Sequence, residues 1–194
     1  CFALAEAMWG AARGARLSFG VIMGTGVGGG LVIAPSSPSS VAFPHAWNGA
    51  QGIAGEWGHV VLVPSPDARP CYCGRRGCIE TYLSGPAIES TYAARAGTPR
   101  KLVDIAHGQR DGSDAIAVEI IAECMNLYGR ALATVINIVD PDVIVLGGGV
   151  SNLDVLYTDG REAVARWVFN DVLETKIVKN ELGDSAGVFG AALL

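Results

Sequence analysis

Three of the five cysteines fall within eight residues, in Cys71-Tyr-Cys73-Gly-Arg-Arg-Gly-Cys78. A disulfide between Cys71 and Cys73 would close a loop too small for unstrained geometry, so a metal is the better account of the cluster. Zinc takes four soft or borderline ligands. His59 ends the stretch Gly55-Glu-Trp-Gly-His59, twelve residues before Cys71, and completes a closed Cys3His structural site. Gly74 and Gly77 let the loop fold tightly around the ion. The other reading is a reduced, partly buried cysteine cluster without metal. Cys124, on an apolar helix face, and Cys1 are read as plain hydrophobes.

Two glycine clusters are candidates for holding phosphate or nucleotide. Gly24-Thr25-Gly26-Val-Gly-Gly-Gly30 contains G-x-G-x-x-G, but the dinucleotide fingerprint must open a helix, and the next residues, Leu31-Val32-Ile33, are β-formers. What remains is either a hairpin turn whose N–H groups and hydroxyl face a phosphate, or a turn that simply needs positive φ. In Pro141-Asp-Val-Ile-Val-Leu-Gly147-Gly148-Gly149 an apolar run ends in glycines. A nucleotide can lie against such a turn beyond the carboxyl end of a strand, or the glycines make a tight strand-to-helix connection.

Elements must position these residues. Leu17–Met23 and residues 31–33 are expected to pair as a hairpin, residues 34–44 to form an exposed Pro/Ser loop, and residues 60–63 a third short strand. Ser84-Gly85-Pro86 opens a helix. Ser113 or Asp114 caps a longer one with Ile116, Ile120, Leu127, Ala131 and Val135 at helical spacing, stopped by Asp140-Pro141. Residues 142–146 read as a fully buried strand leading to a helix that Ser151 or Asn152 caps. A strand at 175–179 and a helix after Asp184-Ser185 close the order: a β hairpin, then αβαβα.

Composition bounds the class. The chain has 194 residues, 50% hydrophobic and 17% charged, which suits a globular protein of one large domain or two small ones. A net charge of -5 leaves no basic footprint for nucleic acid. No apolar run reaches the roughly 18 to 20 residues of a bilayer span, so no membrane partner is expected. The first residues include Glu6, lack a basic n-region and read as helix, which makes a cytoplasmic location the expectation. The helical pattern starts at Cys1 with no cap before it, so a missing N-terminal part is expected.

Together these motifs resemble the ROK (repressor, open reading frame, kinase) family, most of all its bacterial fructokinases and N-acetylglucosamine kinases. CYCGRRGCIE at 71–80, AGEWGH at 54–59, the glycines at 24–30, residues 141–149 and GDSAGVFGAA at 183–192 stand in the family's order along the whole chain. The resemblance implies an α/β fold, the C-terminal lobe of an actin-like ATPase (ribonuclease H-like) sugar kinase fold with a zinc-binding loop at 59–78. Residues 1–16 would be a helix leading from an N-terminal lobe, and residues 17–194 the C-terminal lobe. It implies Zn²⁺ on His59, Cys71, Cys73 and Cys78, with the zinc loop holding Glu80 rigid. The sugar, a hexose such as fructose, mannose, glucose or an N-acetylhexosamine, would lie on Glu56, His59 and Glu80. ATP with Mg²⁺ would meet Thr25 and Gly26 at its phosphates and Gly147, Gly148 and Gly149 at its adenosine.

The implied activity is fructokinase-like transfer of the ATP γ-phosphate to a sugar hydroxyl, by a protein that forms a homodimer. The alternative is the sugar-sensing domain of a ROK-family repressor, with DNA bound by an upstream helix-turn-helix. The family's Asp-Gly-Gly-Thr phosphate loop does not occur in the sequence, and its catalytic Asp would lie a few residues before Cys1. This chain alone is therefore expected to be inactive. The extension at 34–44 is also longer and richer in Pro and Ser than the family usually carries.

Overall fold

A computed structural model describes residues 1–35 and 43–193. Strand β1 (Leu17–Met23) turns through Gly24-Thr25-Gly26 into β2 (Val27–Ile33), with which it pairs antiparallel from Leu17↔Ile33 to Met23↔Val27. On the outer side of β2 lies β3 (His45–Trp47), antiparallel to it. On the other side of β1, β4 (Val143–Gly147) and then β5 (Lys176–Lys179) add in parallel, giving a five-stranded sheet of order β3-β2-β1-β4-β5. Parallel joins need crossovers, and helices supply them on one face of the sheet.

Both faces are covered, which is why β4 is a continuous apolar run. Ile144 and Leu146 enter the larger core together with Phe19, Val21 and Met23 of β1, whereas Val143 and Val145 face the smaller one. The larger core is closed by α2 (Glu80–Leu83), α3 (Gly85–Ala96), α4 (Leu102–Arg110), α6 (Asp159–Ala165) and above all α5 (Ala115–Val139). Asp114 caps α5, its Oδ1 accepting from the N–H groups of Ile116 and Ala117, both at 3.1 Å. The helix ends at Asp140 in the left-handed region, φ 48°, ahead of Pro141. Of the expected apolar face, Ile120, Ala131 and Val135 are buried, with Ile116 and Leu127 at its margin. Cys124 is buried on the same face, and burial pushes its thiol up to about 12, so it behaves as an inert hydrophobe.

The smaller core is α1 (Phe2–Trp9) laid over β1, β2 and β4. A Cβ on Gly20 would stand 2.5 Å from the Ala3 Cβ, so this strand glycine is what lets the helix approach the sheet. Helix α7 (Ala186–Ala191) packs beside α1.

Several expectations are corrected. Helix α1 stops at Trp9 and does not reach residue 16: Gly10 leaves helical geometry at φ -115°, ψ -147°, and a glycine is needed there because a Cβ would collide with the Glu6 carboxylate. Strand β2 begins at Val27, with Gly28, Gly29 and Gly30 inside the ladder, since backbone pairing with β1 needs no side chain. Residues 60–63 form no strand. The Leu62 and Val63 N–H groups both turn to the Gly77 carbonyl, and Val61 makes one isolated bridge with Cys78. The third strand is His45–Trp47. After Gly148 come two 3-10 turns, Gly149–Asn152 and Asp154–Leu156, and α6 starts only at Asp159. Ser151 donates its hydroxyl to the Gly148 carbonyl and caps no helix. Helix α4 was not foreseen. The Pro/Ser stretch lies, over residues 36–42, outside the described residues. Among the described residues no helix is long and apolar enough to cross a membrane.

Candidate functional site

His59 ends a 3-10 turn, Glu56–His59, pressed against β2. Gly55 (φ 104°) and Gly58 permit this, because a Cβ on either would collide with the carbonyls of Gly29 and Val27 respectively. The ligand atoms of His59, Cys71, Cys73 and Cys78 lie within 4.8 Å of one another. Cys73 Sγ and Cys78 Sγ are 3.7 Å apart, and Cys71 Sγ is 3.5 Å from His59 Nδ1. A tetrahedral zinc with Zn–S of about 2.3 Å and Zn–N of about 2.0 Å has edges of about 3.8 Å (S···S) and about 3.5 Å (S···N). The donor set therefore fits zinc, and no disulfide is present among the described cysteines. The environments of the thiols differ: burial pushes Cys78 up to about 12, whereas the Arg75 N–H holds Cys73 below its ordinary value. A divalent cation is what would keep all three as thiolates.

The imidazole of His59 links this cluster to a cavity. Its Nδ1 faces the thiols, and its Nε2 lies 2.8 Å from the Tyr72 hydroxyl. Two residues after Cys78, Glu80 opens α2, and its Oε2 accepts the Val27 N–H at 2.9 Å. That oxygen occupies the space beside Gly26, where a Cβ would stand 2.5 Å from it. Glu56, His59, Glu80, Thr25, Gly26 and Tyr72 thus border one cavity of about 500 Å³. Two carboxylates and an imidazole suit a polyhydroxylated ligand, whose hydroxyls donate to the carboxylates and accept from the imidazole Nε2.

A second cavity, of about 590 Å³, lies beyond the carboxyl ends of β4 and β5. Gly148, Asn152, Lys179 and Asn180 border it, and it meets the first cavity at Cys1, Phe2 and Ile22. Gly148 has φ 81°, and a Cβ there would stand 2.5 Å from the Met23 carbonyl oxygen. Gly147 is covered by the Phe2 ring, 2.7 Å from where its Cβ would be, and Gly149 starts the 3-10 turn, so only Gly148 of the three borders the cavity. Tyr72, Asn152, Lys179 and Asn180 were missed by the sequence reading. Tyr72 had a signal in its place between two ligand cysteines. Lys179 reaches Gly148 only through the pairing Leu146↔Lys179.

The ROK family profile matches residues 1–194. An N-acetyl-D-glucosamine kinase of Vibrio cholerae is 37% identical over 202 residues, covering 100% of this chain and 64% of its own length. A ROK family glucokinase from Streptomyces griseus, solved with glucose and AMPPNP, superposes with a TM-score of 0.82 at 28% identity, over 97% of this chain and 63% of that one. A ROK family transcriptional regulator, a homolog of the E. coli MLC protein, superposes with a TM-score of 0.80 at 30% identity, over 99% of this chain and 48% of that one. The chain thus spans somewhat less than two thirds of the length of the two kinases and about half that of the regulator.

Proposed function

The chain belongs to the ROK family and has its actin-like ATPase fold, and on that premise we propose that its protein is an ATP-dependent sugar kinase acting on a hexose, with N-acetylglucosamine the first candidate. The observation that carries this reading is the meeting of two cavities at the N-terminal end of α1, one bordered by Glu56, His59 and Glu80 and the other by Gly148. Fructose, to which the sequence resemblance also points, comes second, because the curated relative reported above is named for N-acetyl-D-glucosamine.

In this reading Glu56 and Glu80 accept hydrogen bonds from the sugar hydroxyls, and His59, with its Nδ1 turned to the metal, donates from Nε2 to a sugar oxygen. Zn²⁺ on His59, Cys71, Cys73 and Cys78 fixes the imidazole and the start of α2. Thr25 and Gly26, which border the first cavity, face the phosphates, and the second cavity takes the adenosine against Gly148. Phosphoryl transfer needs positioning and charge stabilisation more than covalent chemistry from the protein, and Mg²⁺ bound with ATP would supply part of that charge. The bond between Glu80 and the Val27 N–H ties sugar-side and phosphate-side groups into one rigid unit. By the resemblance, the carboxylate that takes the hydroxyl proton precedes Cys1.

The test is an ADP-release assay on the full-length protein with N-acetylglucosamine, glucose, mannose and fructose. Turnover is expected with at least one hexose, N-acetylglucosamine giving the highest kcat/KM, and Glu80→Ala is expected to lower it at least roughly a hundredfold. No ADP release with any of the four from zinc-replete protein refutes the kinase. A sugar-sensing repressor domain is the second reading, favoured by the regulator that superposes on the whole chain. It predicts sugar-dependent DNA binding and no turnover.

A further inference from the structure

Glu6 is the only charged residue of α1 and is fully buried. Its Oε2 accepts the Ala11 N–H at 2.8 Å and the Glu181 N–H at 3.2 Å, and its Oε1 accepts the Leu182 N–H at 3.0 Å. The first bond closes the turn that ends α1. The other two reach across to the segment after β5, where Asn180 and Gly183 flank the bonded residues and border the 590 Å³ cavity. Cys1 and Phe2, at the start of α1, border the same cavity. One carboxylate therefore joins the elements that carry both walls.

Packing alone does not call for this residue. A buried carboxylate is costly unless fully hydrogen-bonded, and an apolar side chain of similar volume usually serves packing as well or better. All three partners are donors, a set that a carboxylate satisfies and a carboxamide cannot, since one end of the amide would present N–H to N–H. Asn180 stiffens the same wall: its Nδ2 donates to the Leu146 carbonyl at 3.0 Å, and its Oδ1 accepts the Gly183 N–H at 3.0 Å. On the other side, Gly190 of α7 lies so close to the Cys1 carbonyl that a Cβ there would collide with it.

We infer that Glu6 is a positioning residue of the nucleotide cavity: by holding Glu181 and Leu182 against α1 it sets the gap between the two walls, and so the affinity for ATP. The inference rests on the nucleotide reading of that cavity given above.

The experiment compares full-length wild type with Glu6→Gln, measuring KM for ATP, KM for the sugar, AMPPNP affinity by calorimetry, zinc content and Tm. Glu6→Gln is expected to raise the ATP KM and the AMPPNP Kd roughly tenfold, the scale of losing one hydrogen bond to a charged group, with the sugar KM within about twofold and zinc unchanged. A lowered Tm with both KM values unmoved, or both shifted alike, overturns the inference and leaves Glu6 as a structural pin. If Glu6→Gln fails to fold, Leu182→Pro decides by the same split. It removes one donor from the far wall, and φ -88° at Leu182 is near what the proline ring requires. A wild type that binds AMPPNP without releasing ADP refutes the kinase and still tests the inference through Kd. A wild type that binds no AMPPNP overturns both.

Discussion

Removing zinc from the loop between His59 and Cys78 is expected to lower both the melting temperature and the affinity for sugar. The ion cross-links the ends of a segment of about 20 residues, and closing a loop of that length in the unfolded chain is worth about 3 kcal/mol on the chain-entropy estimate used for disulfides. For 194 residues, about 2.1 cal/mol/K per residue gives a melting entropy of about 0.4 kcal/mol/K, so the loss corresponds to about 8 °C in Tm. The proposed sugar site would change with it, because His59 would itself be a ligand and Glu80 stands two residues after Cys78. The Glu80 Oε2 bond to the Val27 N–H holds that carboxylate in part, so the sugar KM is expected to rise roughly tenfold. The assay strips the metal with a chelator under reducing conditions, counts residual zinc by elemental analysis, and measures Tm and KM before and after zinc is restored. If metal-free protein melts within about 2 °C of the zinc form with an unchanged sugar KM, the reasoning fails. The cysteines would then be a reduced cluster that holds nothing in place.

Two further outcomes follow from single positions. Gly148→Ala places a side chain at φ 81°, ψ 170°, 2.5 Å from the Met23 carbonyl oxygen. It is expected to cost about 2 kcal/mol or more, read as denaturant midpoint, and to raise the ATP KM above the sugar KM in proportion. Asp114, bonded by the Tyr92 hydroxyl and the Ala117 N–H with Arg100 alongside, has its carboxyl held below the ordinary value of 3.8. A depressed carboxyl contributes stability above its unfolded value and loses it as pH falls through the folded one. The Tm difference between wild type and Asp114→Asn is thus expected to be constant above about pH 5 and to close at lower pH. A difference that widens in acid refutes the assignment.

What depends on near neighbours is legible in the amino-acid order. The ligand spacing of Cys71, Cys73 and Cys78 is a local pattern, because a metal loop is closed by residues a few positions apart. The apolar positions of α5 and its Asp114 cap act through backbone groups within one turn, and the run in β4 announces burial on both faces. Residues 60–63 show where this stops: they have strand composition, but the Gly77 carbonyl takes the Leu62 and Val63 N–H groups, and no local rule reveals that competitor. Gly20 is required by Ala3 of a helix on the sheet, and Gly26, in the turn read as facing a phosphate, leaves room for the Glu80 carboxylate, partners that neither stretch of sequence names.

Those partnerships arise from the folded arrangement. It joined Glu80 to Val27 across 53 residues and Glu6 to Leu182 across 176, and it set Lys179 beside Gly148 through a parallel ladder. Each depends on which of many equivalent backbone groups a side chain or strand meets once the sheet has closed. Hydrophobic periodicity specifies that a face is buried; the order of the strands decides against what.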